Sequence, residues 1–282
     1  MSTLTLRQNL ESVRGRIDRA CQRCGRDPST VTLVAVTKGV SVATIQEALT
    51  LGLTDVGENR VQEARAKRQD AGFRMQDAGF RMQDAGFRMQ DAGCRMQDRD
   101  NPLHPESCIL HPVRWHMIGH LQRNKAKDAV EMFDVIHSLD SIALAEELER
   151  QAEKQDAGCK IQDSGSGPKP TEVFIQVNVS GEATKFGCPL DEAPTLANVV
   201  AQLPHLRLRG LMTIAPFADE PEAARPVFRQ LCELRDEVTS SLHLPPSTFC
   251  LSMGMSQDFE VAIEEGADYI RVGTAIFGGQ GA

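Results

Sequence analysis

Apolar residues recur along this chain with two different periods. Between residues 3 and 25 they fall three or four apart, at Leu6, Leu10, Val13, Ile17 and Ala20. That spacing lines one face of a helix. Short apolar runs then alternate with longer helical stretches. The runs that read as strands are Val31–Val36, Asp55–Gly57, Trp115–Ile118, Val135–Ser138, Val173–Val179, Leu206–Thr213, Phe249–Ser252 and Tyr269–Val272. Helical spacing separates them, as over Val42–Leu51, Ser141–Lys154, Pro221–Leu242 and Gln257–Glu265. Several strands are apolar throughout, as expected when both faces of a parallel sheet are covered. Eight strands separated by seven helices, after one leading N-terminal helix, predict a single-domain α/β fold, an eight-stranded parallel (β/α)8 TIM-like barrel. A doubly wound open sheet is the alternative. Such a sheet usually carries a phosphate-loop fingerprint near its start, and none stands there.

One stretch breaks the alternation. Gln69-Asp70-Ala71-Gly72-Phe73-Arg74-Met75 recurs with starts at Gln69, Gln76, Gln83 and Gln90, Cys94 replacing Phe in the last copy. A shorter echo runs from Gln155 to Ile161. The seven-residue period permits a helix, with Asp70 and Arg74 as a favourable i,i+4 pair. Each copy also holds a glycine, which costs about 1 kcal/mol against alanine in a helix. Residues 69–112 therefore read as an insertion, either a marginal helical extension or a mobile loop, and residues 155–170 as a second, shorter one. Both fall in helix-to-strand connections, on the face of a barrel opposite its active site.

Composition narrows the function classes. The 282 residues are 41% hydrophobic and 25% charged, ordinary for a globular protein. A net charge of −8 argues against a general nucleic-acid binder, which needs a basic face. No apolar run approaches the roughly 20 residues of a membrane span, and the first residues lack the pattern of a secretory signal. The cytosol is the expected compartment, and its reducing conditions suit all eight cysteines as thiols. Cys21 and Cys24 make one CxxC, with no second pair to complete a zinc site. His104, Cys108 and His111 share a loop and could bind a metal, but no carboxylate arrangement supports them, so no metal is expected.

The informative polar residues lie at the ends of strands. Lys38 follows the first, with no acid beside it in sequence. A lysine at the C-terminal end of a βα strand either reaches solvent or supplies a desolvated, neutral amine able to form a Schiff base with an aldehyde. In a barrel it would meet the ends of the other strands: Gly57-Glu58-Asn59-Arg60, Gly119-His120, Asn178, Thr213, Ser252-Met253-Gly254-Met255-Ser256, and Arg271 with Gly273-Thr274. Barrels commonly bind phosphate in the loops after strands seven and eight. There Gly254, Ser256, Gly273 and Thr274 offer close backbone approach, amides and hydroxyls. A phosphate cup opposite an aldehyde-binding amine points to pyridoxal 5′-phosphate, PLP. Arg271 is then either a salt-bridged strand residue or the donor that meets the ring nitrogen. As a donor that does not deprotonate, it would keep that nitrogen neutral and the ring a poor electron sink.

At these residues the chain resembles the pyridoxal phosphate homeostasis proteins, the YggS/PROSC family. The matching runs are Leu33–Lys38, Gly57–Glu63, Trp115–Lys125, Gly210–Met212, Leu251–Asp258 and Arg271–Gly278, which together span nearly the whole chain. The resemblance implies a barrel of the alanine racemase N-terminal-domain type with the cofactor on Lys38. It further implies phosphate contacts from Ser256, Gly273 and Thr274, Arg271 near the ring nitrogen, and Asn59 and Ser252 lining the pocket. It implies a carrier and regulator of intracellular PLP, without established catalysis, that exchanges its cofactor with apo PLP-dependent enzymes and is a monomer or weak dimer. A PLP-dependent amino-acid racemase is the alternative. Racemases need two bases, and in this fold the second is a tyrosine from a further C-terminal domain. That domain is not expected here, Tyr269 should lie one layer too deep, and His120 is the remaining candidate.

Overall fold

The structure, a computed structural model, describes residues 5–70, 113–158, 170–182 and 184–278. Eight parallel strands close into a barrel in sequence order: β1 (Thr32–Val36), β2 (Asp55–Glu58), β3 (Arg114–Met117), β4 (Val135–Leu139), β5 (Thr171–Gln176), β6 (Leu206–Met212), β7 (Cys250–Ser252) and β8 (Tyr269–Val272). β8 pairs with β1 from Thr32↔Tyr269 to Ala35↔Val272, which removes every sheet edge. The expected barrel is the observed fold.

Helices cover the outside: α1 (Leu6–Cys24), α2 (Val42–Thr50), α3 (Val61–Asp70), α4 (Ala126–Met132), α5 (Ile142–Gly158), α6 (Ala193–Val200), α7 (Arg225–Ser241), α8 (Phe259–Glu264) and α9 (Thr274–Phe277). The leading helix begins at a capping box. The Thr5 hydroxyl accepts from the Gln8 amide and the Gln8 side chain accepts from the Thr5 amide. Its buried face is Leu10, Val13, Ile17, Ala20 and Cys21, close to the stripe legible in the sequence. It packs on α8 and α9, and the Asn9 amide donates to the Ile276 carbonyl at 2.9 Å. Each of Leu10, Val13 and Ile17 contributes about 1.5–3 kcal/mol of burial, so α1 is held by packing on the end of the barrel near β8.

Element ends moved by a few residues from expectation. The run from Pro221 opens as a tight 3-10 turn, Pro221–Ala224, before α7, and β5 stops at Gln176 with Val177 making only an isolated bridge to Cys188. Helices α3, α4 and α6 lack the long apolar stripe that sequence periodicity detects. Their buried faces are short and rich in alanine, with Ala64 beside Val61, Ala126 and Ala129 beside Met132, and Ala193 and Ala197 beside Leu196 and Val200. The repeats, the His104–Cys108–His111 loop and most of residues 155–170 lie outside the described residues. Among the described residues no helix is long and apolar enough to cross a membrane, and no group of three or more His, Cys, Asp or Glu could hold a metal ion.

Inside the barrel the strand residues form layers. At the N-terminal end Arg114 bridges Asp55 and Glu172, with Arg209 also beside Glu172. Above them sit the His116 and His137 rings, with His137 stacked on Phe174 at 4.5 Å between centroids. Ser252 and Arg271 form the next layer, directly under the C-terminal mouth.

Candidate functional site

The C-terminal mouth holds a cavity of about 280 Å³. It brings together Lys38, Asn59, Ser256, Arg271, Gly273 and Thr274, six of the seven residues expected from sequence. They come from the ends of four strands, β1, β2, β7 and β8. The loop after β6 adds Phe217, which stands 78% exposed at the rim.

Lys38 is the only lysine lining the cavity among the described residues, and its side chain is exposed. The protein alone therefore does not bury the amine as the sequence argument expected. A ring seated in the cavity would have to supply that desolvation. The backbone around Lys38 is tightly braced. Lys67 Nζ on α3 donates to the Thr37 carbonyl at 2.6 Å, to Glu58 Oε1 at 2.7 Å and to Glu63 Oε1 at 2.7 Å. Glu63 Oε1 also accepts the Gly39 amide at 2.6 Å, and the Thr37 hydroxyl donates to Glu58 Oε1 at 2.5 Å. No acid neighbours Lys38 in sequence, yet two carboxylates clamp the residues on either side of it. Burial pushes the Glu58 carboxyl up, and the bonds from Lys67 and Thr37 only partly offset that. Burial also opposes ionisation of Glu63, but the Lys67 bond and the Gly39 amide outweigh it and hold that carboxyl below its ordinary value.

The wall expected to face a phosphate is built by the loops after β7 and β8. Gly254 turns the first at φ 91°, a left-handed conformation that favours glycine, and a Cβ there would lie 2.6 Å from the Ala262 methyl. The Ser256 hydroxyl accepts from the Gly273 amide at 3.2 Å and the Ala275 amide at 3.4 Å, which ties this loop to the turn after β8. The amides of Ser256, Gln257 and Thr274 have no partner among the described residues. These amides, grouped on one wall with the Ser256 and Thr274 hydroxyls, suit a phosphate dianion. On the opposite side Gly119 lets the loops after β2 and β3 touch. A Cβ there would stand 2.3 Å from the Asn59 carbonyl, so any larger residue would displace Asn59 from the cavity wall.

Arg271 forms the floor. It is 4% exposed, and burial lowers its guanidinium to about 10 against the pull of the Asp258 carboxylate, so it remains charged at neutral pH. Nη1 donates to the Ser252 hydroxyl at 2.6 Å and Nη2 to the Thr213 carbonyl at 2.8 Å. The alternative reading of Arg271 as a surface or salt-bridged strand residue does not match this burial and these partners. Ser252 does not line the cavity. It is fully buried behind Arg271, where its hydroxyl also meets His137. It is the last residue of β7, and its side chain is turned into the barrel between Arg271 and His137.

Neither candidate second base stands at the cavity. Tyr269 is 5% exposed, one layer down among the His116, His137 and Phe174 rings. His120 stacks on Phe186 at 3.9 Å and pairs with Asp140 at 3.3 Å across the loops after β3, β4 and β5. His137, Asp55 and His116 had no place in the sequence reading of the site. Asp55, His116 and His137 share their strands with Glu58, Arg114 and Ser138, so polarity alone does not single them out, and only their meeting in the barrel interior marks them.

The alanine racemase N-terminal domain family matches residues 8–281. A pyridoxal phosphate homeostasis protein of Pseudomonas aeruginosa is 37% identical over 274 residues, covering 97% of this chain and 95% of that protein. The structure of PipY of Synechococcus elongatus with PLP bound is 31% identical, with a TM-score of 0.65 over 93% of this chain and all of that one. An alanine racemase of Clostridium difficile in complex with cycloserine is 13% identical, covers 96% of this chain and 58% of that one, and has a TM-score of 0.59. At that identity the likeness carries the fold alone.

Proposed function

We propose a function from one premise: the chain belongs to the pyridoxal phosphate homeostasis proteins, a family built on the alanine racemase N-terminal domain. It binds PLP at the barrel mouth, covalently through Lys38, and serves as a carrier and regulator of the intracellular cofactor. The observation that carries this reading is one cavity that unites a lysine amine, a wall with amides that have no partner among the described residues, and a buried arginine.

These residues fit the group. Lys38 would supply the amine for its aldehyde, Ser256, Gly273 and Thr274 would hold its phosphate, Asn59 would flank it, and Arg271 would offer a donor to its ring nitrogen. When bound, the group supplies an electron sink whose strength depends on protonation of that nitrogen. Arg271 has only donors to offer there. It therefore holds the nitrogen unprotonated and makes this protein a poor place for carbanion chemistry. Ser252 and Thr213 fix the guanidinium from behind. Among the described residues Lys38 is exposed at the rim, which suits a cofactor that must be released. Apo PLP-dependent enzymes of the cytosol are the recipients this reading assigns.

The test is reconstitution. Protein mixed with PLP should gain a visible absorption band, and borohydride should fix one equivalent on the peptide containing Lys38. A label on another lysine would refute the assignment. Thr274→Val and Ser256→Ala should each weaken PLP retention about tenfold, the loss of one hydrogen bond to a charged group. Unchanged dissociation constants would discard the phosphate wall. Incubation of the loaded protein with single L-amino acids should produce no D-isomer, and steady D-isomer formation would favour the racemase reading.

A further inference from the structure

Below Arg271 the barrel interior contains an unbroken series of polar contacts that the site as described does not use. Arg271 Nη1 lies 2.6 Å from Ser252 Oγ, and Ser252 Oγ lies 2.9 Å from His137 Nδ1. His137 Nε2 lies 2.8 Å from His116 Nδ1, and His116 Nε2 lies 2.8 Å from Asp55 Oδ1. The Thr54 hydroxyl donates to the other Asp55 oxygen at 2.7 Å. The series joins β8, β7, β4, β3 and β2, and Ser252, His137 and His116 are fully buried. We infer that it is a one-way hydrogen-bond chain, running Arg271 → Ser252 → His137 → His116 → Asp55, that positions Arg271 as the donor on the cavity floor.

The direction follows from the two ends. A guanidinium only donates, and an ionised carboxylate only accepts. Each of the three groups between them has one proton to pass along. Arg271 occupies an acceptor site on Ser252 Oγ, so the serine proton points to His137 Nδ1. That nitrogen is then the acceptor of its ring, and His137 carries its proton on Nε2. The Nε2–H donates to His116 Nδ1, which places the His116 proton on Nε2, facing Asp55. Every donor and acceptor in the series is used once. The reverse orientation fails at the top. A His137 Nδ1–H would give Ser252 two donors and leave the serine proton with no acceptor in a dry core, a cost of about 1–3 kcal/mol. Burial above all, with His116, Arg271 and Arg114 adding to it, holds His137 well below its ordinary value, in line with a neutral ring. Burial raises the Asp55 carboxyl, but His116, the Thr54 hydroxyl and Arg114 together outweigh it and keep the group below its ordinary value, in line with an anion.

Such a chain does two things. It fixes both imidazoles as single tautomers, and it holds the Ser252 oxygen as an acceptor under Arg271. The guanidinium is thereby anchored by two bonds, to Ser252 and to the Thr213 carbonyl, with its other N–H groups left for the cavity. Ser252, His137, His116 and Asp55 are positioning residues. They touch no ligand, and they act on the ring nitrogen through Arg271. This inference rests on the PLP reading for its effect, but not for the chain itself.

The test has two arms. In the full-length protein without cofactor, long-range 1H–15N spectra of the histidine rings at pH 7 should show His116 and His137 both neutral and both protonated on Nε2. An Nδ1–H tautomer, or a doubly protonated ring, at either position would overturn the chain. The second arm uses PLP. Ser252→Ala should raise the dissociation constant about tenfold, as expected when a buried anchor is lost, and should shift the visible band. Ser252→Thr, which keeps the hydroxyl, should restore the band and most of the affinity. His116→Phe keeps ring shape two links away from Arg271 and should move the band in the same direction as Ser252→Ala. Should the wild-type protein take up no PLP, the site reading fails while the tautomers still stand or fall by themselves. If it takes up PLP and neither Ser252→Ala nor His116→Phe alters band or affinity, the positioning role is wrong although the cofactor reading survives.

Discussion

Lys38→Ala protein, mixed with PLP and reduced with borohydride, is expected to carry no cofactor on any peptide and to lose the visible band completely. The effect is all-or-none because Lys38 is the only lysine lining the cavity among the described residues, and a covalent bond to the aldehyde needs an amine within reach. The fold should be indifferent. Lys38 is exposed, and removing an exposed side chain changes stability by about 0.5 kcal/mol or less. PLP should still associate weakly through the wall of Ser256, Gly273 and Thr274 and through Arg271. Mass spectrometry of the reduced protein, with a thermal melt beside it, checks both halves. A covalent adduct surviving in Lys38→Ala would sink the assignment. A large drop in melting temperature would show that the lysine has a structural role this account omits.

Lys67→Met is expected to damage both stability and binding without touching the cavity. Its ammonium is the shared partner of Glu58, Glu63 and the Thr37 carbonyl. Removing one member of a buried ion cluster costs about 3–5 kcal/mol, because the remaining charge is left uncompensated. The sign of the pH dependence is a sharper check. The folded-state pKa of Glu58 is already raised, and Lys67 is among the influences that lower it. Without Lys67 it rises further, so folded Glu58 binds a proton that unfolded Glu58 releases. Folding is then favoured as pH falls. The stability deficit of the variant should therefore narrow as pH is lowered from about 8 to about 5, measured by chemical denaturation. A deficit that stays constant would mean Glu58 is not the group left stranded. PLP affinity should fall as well, because residues 37–39 lose their clamp and Lys38 its fixed position.

The alternation of apolar runs and helical stretches was enough to determine the barrel. Parallel strands covered on both faces must be apolar, and eight of them in sequence have few other ways to lose their edges. Position along a strand also located residues that line one cavity at the mouth. Lys38, Asn59, Ser256, Arg271, Gly273 and Thr274 follow or end strands, and the C-terminal ends of parallel strands in a barrel converge whatever the intervening sequence. Period-two alternation even placed Tyr269 one layer below Arg271. Tertiary structure alone decided what stands behind those residues. Ser252 went inward, Lys38 remained exposed, and Glu58, Glu63 and Lys67 closed around it. Asp55, His116 and His137 are separated by 61 and 21 residues along the chain, and Ser252 by a further 115. No local pattern links them, since each lies in a different strand. Closure of the barrel turns all of those strand faces toward a common axis, and there the chemistry of a buried hydroxyl, two imidazoles and a carboxylate leaves one satisfied arrangement.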